Sequence, residues 1–197
     1  ETHQGVFDAA FLDTVPGMTV LCPSSFQELR SMLRRAVLEL TGPVAIRYPK
    51  GGEGSFRGDT GPAASCVLRP GRDITLLGYG GMIDQLLDCA ARLEADGIDA
   101  EIVKLNTITP IDMGPVLASV KKTGRLLCAE EAVRAGSVGQ RVAAALLEQG
   151  AALQGLALAD LGEGIVPHGA VGQLRALCGL DGAHLHQKAR EVCGHGG

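Results

Sequence analysis

The feature that most constrains the fold is a regular alternation of short apolar runs with longer runs that are apolar at helical spacing. Ile74–Leu77 predicts a buried strand, and the turn Gly78-Tyr79-Gly80-Gly81 separates it from a helix predicted over Met82–Ala95. Asp96-Gly97 ends that helix, and Ala100–Leu105 predicts the next strand. Because a helix that joins two strands in this way covers one face of a parallel sheet, the pattern indicates an α/β fold.

The same alternation continues to the C-terminus and predicts a mostly parallel sheet covered by helices on both faces. Each predicted strand is short and rich in branched apolar residues, as expected for a strand buried on both sides. The further elements are a short helix at Ile111–Val120, a strand at Arg125–Ala129, a helix at Val138–Gln149, a strand at Leu156–Leu161, and two helical stretches near Val171–Cys178 and Leu185–Val192.

The first fifty residues predict a separate strand–helix–strand unit. Met18–Leu21 and Val44–Tyr48 are the predicted strands, and Gly42-Pro43 ends the helix between them. Ser25 and Glu28 have the spacing of a capping box at the start of that helix. Its apolar residues recur every three or four positions and predict one stripe that faces a sheet: Phe26, Leu29, Met32, Leu33, Ala36, Val37 and Leu40.

Glycine, proline and serine dominate from Pro49 to about Ala64, without apolar periodicity, which is typical of a linker. We therefore expect a truncated N-terminal unit at residues 1–49, a linker at 50–67 and a complete domain at 68–197. The chain begins at Glu1-Thr2 without a start methionine or a leading strand, the pattern of a cut end.

Composition excludes several functional classes. The chain has 197 residues, of which 46% are hydrophobic, but no apolar run approaches the roughly 20 residues that cross a bilayer. A net charge of -4 without a basic cluster argues against nucleic acid. Six scattered cysteines without a CxxC pair fit reduced core residues better than a zinc site. We expect a cytoplasmic protein with no membrane or nucleic-acid partner.

The glycine turn supports two interpretations. Gly78 to Gly81 follows a strand and opens a helix, and Glu101 lies about 20 residues further on, as in a dinucleotide-binding fold. Ile83 occupies the place of the third glycine, however, and a glycine turn can be a purely structural response to backbone geometry.

Two carboxylates and several histidines are further candidates. Glu130-Glu131 precede Gly136-Ser137-Val138-Gly139 at a predicted helix start, so they can be acid–base groups or a cap of the helix. His184 and His186 are split apart by a helix, which disfavours a metal site. His3, in a polar cluster, can hydrogen-bond or transfer protons near neutral pH, or be an exposed terminal side chain.

Two sequence blocks carry a resemblance to a known family. Thr2-His3-Gln4-Gly5-Val6-Phe7-Asp8 and Gly42-Pro43-Val44-Ala45-Ile46-Arg47-Tyr48-Pro49-Lys50-Gly51 resemble the end of the pyrimidine-binding domain of 1-deoxy-D-xylulose-5-phosphate synthases, in the transketolase superfamily. Leu76 to Met82, Glu130-Glu131 and His168-Gly169 are similar to the C-terminal domain of that family in order and spacing. The resemblance spans nearly the whole chain.

The resemblance implies an activity and its site residues. The family condenses pyruvate with glyceraldehyde 3-phosphate, with loss of carbon dioxide, for isoprenoid and thiamine synthesis. Thiamine diphosphate supplies the reactive carbanion and magnesium anchors its diphosphate. By resemblance, His3 is catalytic, Lys50 binds the phosphate of the aldehyde, and Arg47 is a further substrate-binding residue. The complete enzyme is expected to be a homodimer.

The chain also departs from the family pattern. Lys50 stands where the family usually has arginine, so the charge is kept but the bidentate fork is lost. Pro167 stands where glutamate often precedes His168-Gly169, and the GDG…N segment that holds magnesium and diphosphate is not in this sequence. We therefore expect this chain to bind no cofactor alone, to be inactive alone, and to need the missing N-terminal part. The alternative is an interaction or dimerisation subunit of a split thiamine-diphosphate enzyme of the transketolase or 2-oxo acid dehydrogenase β-subunit type.

Overall fold

The computed structural model describes residues 4–194, and within that range the strands form a three-stranded and a five-stranded sheet. Short 3-10 turns at Gly5–Phe7 and Leu12–Thr14 flank the first helix. The helices are α1 (Asp8–Phe11), α2 (Phe26–Leu38), α3 (Met82–Ala95), α4 (Met113–Thr123), α5 (Val138–Glu148), α6 (Val171–Leu177) and α7 (Gly182–Val192). The strands are β1 (Thr19–Leu21), β2 (Val44–Ile46), β3 (Ser65–Arg69), β4 (Ile74–Gly78), β5 (Ala100–Leu105), β6 (Thr107–Thr109), β7 (Arg125–Ala129) and β8 (Gly155–Ala159).

The larger sheet confirms the predicted α/β fold. Its strand order is β3-β5-β4-β7-β8, and every neighbouring pair is parallel except β3 with β5. Successive residues of one strand enter different cores, since Leu76 packs with α3 and α7 whereas Leu77 packs with α4 and α5. Helices therefore cover both faces, which explains the continuous apolar runs in β4, β5 and β7.

The smaller sheet joins the beginning of the chain to its later part. β1 pairs in parallel with β2 and antiparallel with β6, which follows β5 directly. Neither β6 nor β3 is predicted from the sequence. β3 begins at Ser65, inside the segment 50–67 that was expected to be a linker, and forms an antiparallel edge of the larger sheet.

The predicted orientation of α2 is wrong. Phe26, Leu33 and Val37 are 56%, 54% and 72% exposed, and Met32 is the apolar residue of the stripe that is buried. The physical reason is that β1 and β2 have three residues each, so the small sheet cannot cover a helix of 13 residues. The start of α2 follows the prediction more closely, because the Ser25 side chain accepts a hydrogen bond from the Glu28 backbone N–H at 3.1 Å.

The segment between the two sheets is irregular but anchored. The Asp84 carboxylate accepts hydrogen bonds from the backbone N–H groups of Ser55 at 2.7 Å and Phe56 at 2.9 Å. On the other side, the Thr60 hydroxyl donates to the Glu28 carboxylate at 2.7 Å. Contacts with α3 and α2 thus hold this segment, although the glycine and proline content alone suggests a free linker. None of the helices in the described part of the chain is long and apolar enough to cross a membrane.

Candidate active site

A cavity of about 270 Å³ lies beyond the carboxyl ends of β2 and β7. Arg47 and Lys50 follow β2, Glu131 follows β7, and all three border the cavity. Arg175 from α6 borders it as well. Ligands of open α/β sheets bind at this edge, because the loops that follow the strands converge there. The structure therefore brings together the two substrate-binding residues predicted from the sequence.

Arg47 connects the two sequence blocks that carry the family resemblance. Its Nη2 donates to the Glu131 carbonyl at 2.8 Å and to the Gly5 carbonyl at 3.4 Å. The guanidinium lies 5.8 Å from the centroid of the Tyr79 ring. Burial alone would lower the pKa of Arg47, but interactions with Tyr79 and other neighbours raise it, so the guanidinium stays charged. Its Nε has no hydrogen-bond partner among the described residues and is buried.

Lys50 is exposed, borders the cavity, and has no side-chain hydrogen bond or ion pair with another described residue. Across residues 4–194 no hydrogen bond or ion pair of the Lys50 ammonium is found, whereas Arg175 at the same cavity is paired with Glu131. An unpaired ammonium beside a cavity can bind an anionic group without first losing another partner.

Arg175 is a site residue that sequence reasoning missed. Its Nε donates to the Glu131 carboxylate at 2.7 Å, and the two side chains are only 17% and 25% exposed. The pair joins α6 to the loop after β7 at the mouth of the cavity. No local motif marks Arg175, because its position depends on how the last part of the chain folds back over the sheet.

Glu130 caps a helix and does not share the cavity with Glu131. Its buried carboxylate accepts hydrogen bonds from the N–H groups of Val138 at 3.1 Å and Gly139 at 2.7 Å, and from the Tyr79 hydroxyl at 2.8 Å. Burial raises the pKa of Glu130, and these hydrogen bonds oppose the shift. Of the two interpretations, the cap is confirmed, since three donors already occupy the carboxylate.

The dinucleotide interpretation is wrong in its key residue. Glu101 is the second residue of β5 and pairs with Thr75, whereas the glycine turn follows Gly78 at the other end of the parallel strands. The Glu101 carboxylate instead forms an ion pair with Lys122 and accepts a hydrogen bond from the Gly71 N–H at 3.3 Å. It cannot contact a ribose bound at the turn.

The described histidines, His168, His184 and His186, do not border this cavity. His3 and His195 lie outside the described residues, but Gln4, next to His3, donates from its side chain to the Val166 carbonyl at 2.5 Å. His184 and His186 contact different partners, with ring nitrogens 2.6 Å from Asp181 and 2.7 Å from Asp96. Within residues 4–194 no group of three or more His, Cys, Asp or Glu side chains could hold a metal ion.

Comparison with known proteins agrees with this architecture. The family model for the transketolase pyrimidine-binding domain matches residues 1–52, and the model for the transketolase C-terminal domain matches residues 64–185. The 1-deoxy-D-xylulose-5-phosphate synthase of Heliobacterium modesticaldum is 36% identical over 98% of this chain, and that of Desulforudis audaxviator is 37% identical over 91%. The chain spans 30% and 29% of the length of these two relatives.

A solved structure shows the same fold. It is described as a split gene transketolase, an inactive beta4 tetramer, and superimposes with a TM-score of 0.81 at 27% sequence identity. The match covers 99% of this chain and 64% of that chain. The chain therefore belongs to the transketolase family, and the 1-deoxy-D-xylulose-5-phosphate synthases among its relatives resemble it over nearly its whole length.

Proposed function

We propose that this chain forms the C-terminal part of a 1-deoxy-D-xylulose-5-phosphate synthase. The proposed reaction condenses pyruvate with glyceraldehyde 3-phosphate and releases carbon dioxide. The observation that carries the proposal is the cavity where the two resemblance blocks meet, because the Gly5 carbonyl and the loop with Lys50 are linked there through Arg47. Similarity to synthases over 98% of the chain supports the same assignment.

In this proposal the described residues bind and orient the aldehyde. The unpaired Lys50 ammonium attracts the substrate phosphate, and Arg47 holds the loop after β7 in place through the Glu131 carbonyl. His3 is assigned a catalytic role by resemblance alone, as a hydrogen-bonding group to the oxygens of substrate or intermediate. Because Lys50 and His3 have different proposed roles, substitutions at the two residues should have different kinetic effects.

The cofactor is proposed to be held mainly by the rest of the enzyme. Thiamine diphosphate would supply the carbanion centre and electron sink for the reaction. Within residues 4–194 no group of three or more His, Cys, Asp or Glu side chains could hold a metal ion, which supports a magnesium-bound diphosphate site in the rest of the enzyme. We assign no step of the reaction to a cofactor in this chain, and we propose that the chain alone is inactive.

A second candidate is a subunit of a split enzyme. The similar solved structure is a split gene transketolase, and the exposed apolar face of α2 formed by Phe26, Leu33 and Val37 can be covered by another polypeptide. In either case the chain works with an N-terminal part. The complete synthase is a proposed cytoplasmic homodimer, whereas in a split enzyme this chain assembles with a separate N-terminal subunit. The two candidates differ in the number of genes that encode the enzyme and in the enzyme class, since the split enzyme is of the transketolase or 2-oxo acid dehydrogenase β-subunit type.

Steady-state kinetics test the site assignment in the completed enzyme, which is this chain together with the N-terminal part of the synthase. Lys50→Ala should raise the KM for glyceraldehyde 3-phosphate and leave that for pyruvate nearly unchanged, since a ground-state phosphate contact is lost. Lys50→Arg should keep or improve that affinity, because arginine adds the bidentate fork. His3→Ala should lower kcat by roughly a hundredfold or more, as for a positioned acid–base group. Equal effects of Lys50→Ala on both substrates would remove Lys50 from the phosphate site.

A further inference from the structure

A second cavity, of about 320 Å³, lies between the loop after β2, the turn from β4 to α3, and α6. Lys50 and Arg175 border this cavity as well as the first one, so the two cavities share these cations. Ser24 and Gly81 are on its other sides. One cation from the loop after β2 and one from α6 therefore border both cavities.

Ser24 borders this cavity and has an unused hydrogen-bonding group. The residue is 6% exposed, and its hydroxyl is buried without a hydrogen-bond partner among the described residues. Its backbone N–H is already used, since it donates to the Glu28 carboxylate at 2.8 Å. A buried hydroxyl without a partner is destabilising, and a ligand that accepts its hydrogen bond would remove this cost.

Arg175 lies against the β4–α3 turn because Gly81 has no side chain. A Cβ placed on Gly81 would be 2.7 Å from the Arg175 Nη2. The backbone of Gly81 has φ -66° and ψ -11°, a conformation open to any residue, so the turn itself does not need glycine here. With Nε bonded to Glu131, the guanidinium is held in one orientation and its terminal N–H groups remain for a ligand.

The hydrogen-bond donors around this cavity suit an anion. Asp84 is the one acidic residue among the described residues that border it. The Asp84 carboxylate accepts hydrogen bonds from the Ser55 N–H, the Ser55 hydroxyl and the Phe56 N–H at 2.7, 2.6 and 2.9 Å. These three bonds hold the Asp84 carboxylate on that turn. Lys50 supplies an unpaired ammonium, and Arg175, paired with Glu131 through Nε, keeps its terminal N–H groups as donors.

We propose that Arg175 and Ser24 complete a phosphate-monoester subsite with Lys50, so that α6 takes part directly in substrate binding. Arg175 supplies the forked guanidinium contact that a lysine at position 50 lacks. That the phosphate belongs to the aldehyde substrate rests on the proposed function. The binding of a phosphate monoester by Lys50, Arg175 and Ser24 does not depend on the proposed function.

The test is a calorimetric or NMR titration of the 197-residue chain with glycerol 3-phosphate, with glycerol as the uncharged control. The wild-type chain should bind the phosphate ester and not glycerol. Arg175→Gln should weaken binding about tenfold or more, the loss expected for a charged hydrogen bond of at least 1.4 kcal/mol. Arg72→Gln is the matched control. It makes the same charge change as Arg175→Gln, but Arg72 is exposed at the opposite end of β4. It should leave affinity within about twofold.

Two further variants separate binding from folding. Gly81→Ala should displace the guanidinium and weaken binding without loss of thermal stability, because the flexible arginine can move. Ser24→Ala should weaken binding while the free chain becomes equally or more stable, since an unpaired buried hydroxyl is removed. A purely structural serine would show lower stability and unchanged binding.

Equal binding of glycerol and glycerol 3-phosphate, or equal affinity of the Arg175→Gln and Arg72→Gln variants, would overturn the subsite. In the completed synthase, an unchanged KM for glyceraldehyde 3-phosphate in Arg175→Gln would also overturn it and leave the proposed function intact. Conversely, a completed protein without synthase activity whose phosphate binding still depends on Arg175 would contradict the proposed function and support the subsite.

Discussion

The ammonium of Lys104 lies 3.0 Å from a carboxylate oxygen of Glu28, and neither side chain is more than 1% exposed. Glu28 is on α2 beside the small sheet, and Lys104 is on β5 of the large sheet. The same carboxylate group accepts hydrogen bonds from Ser24 and Thr60, so its lone pairs are satisfied. This buried pair therefore fixes the N-terminal segment on the rest of the fold and keeps Ser24 at the cavity.

Breaking this pair should be strongly destabilising. Lys104→Met leaves the Glu28 charge buried without its partner, and we expect a loss of about 3–5 kcal/mol in the free energy of unfolding. The double variant Glu28→Gln/Lys104→Met should lose less than the sum of the single changes. Arg92→Met is the control, because its ion pair with Asp88 is about half exposed and should contribute about 0.5 kcal/mol or less. Additive effects in a urea-unfolding cycle would show that the pair is not coupled.

Glu130 should make stability depend on pH in an unusual direction. Burial raises its pKa above the ordinary 4.5, so the folded protein binds the proton more tightly than the unfolded chain does. Its contribution to stability is complete below pH 4.5 and is lost as pH rises through the folded pKa. Glu130→Gln should remove this slope above pH 4.5, as measured by urea unfolding at a series of pH values. An identical slope in both proteins would show that another group is responsible.

Much of the fold could be predicted from the sequence where periodicity and turn residues agree. Met82–Ala95 and Ala100–Leu105 match the structure at both ends, because an amphipathic stripe and the Asp96-Gly97 stop coincide. β3 and β6 were missed, since both are short edge or bridging strands defined by partners far along the chain. Local propensity contains no information on those partners.

The site could be predicted only in part for the same reason. Arg47 and Lys50 follow one strand, so family resemblance and local order both point to them. Arg175 and Ser24 are 151 positions apart and meet only because α6 folds over the carboxyl edge of the sheet. The wrong expectation for α2 has a related cause, because an apolar stripe predicts burial but not whether this chain supplies the covering surface.

The apolar face of α2 should tolerate substitution in the isolated chain. Val37 is 72% exposed, so Val37→Asp should change the free energy of unfolding by no more than about 0.5 kcal/mol. Leu86→Ala, at a fully buried site of α3, should cost about 2–5 kcal/mol in the same assay. If another part of the synthase covers α2, Val37→Asp should lower the melting temperature of the completed enzyme. A large cost already in the isolated chain would contradict the exposed position of this face.

The predicted division near residues 50–67 can be tested by limited proteolysis. The Arg57 side chain is 73% exposed and lies in the segment without regular structure, so trypsin should cleave after Arg57 before it reaches the large sheet. The remaining fragment, residues 58–197, contains all five strands of that sheet and should stay folded, as measured by circular dichroism. Rapid digestion of this fragment would mean that the two parts form one folding unit.

The most direct measurement is the synthase activity of a chimaera in which this chain replaces the matching C-terminal region of the Heliobacterium modesticaldum relative. The assay follows formation of 1-deoxy-D-xylulose 5-phosphate from pyruvate and glyceraldehyde 3-phosphate with thiamine diphosphate and magnesium. We expect product from the chimaera, none from this chain alone, and a higher KM for the aldehyde in the Lys50→Ala chimaera. The proposed function would be wrong if a folded chimaera had no activity beside an active parent enzyme, or if this chain alone had synthase activity.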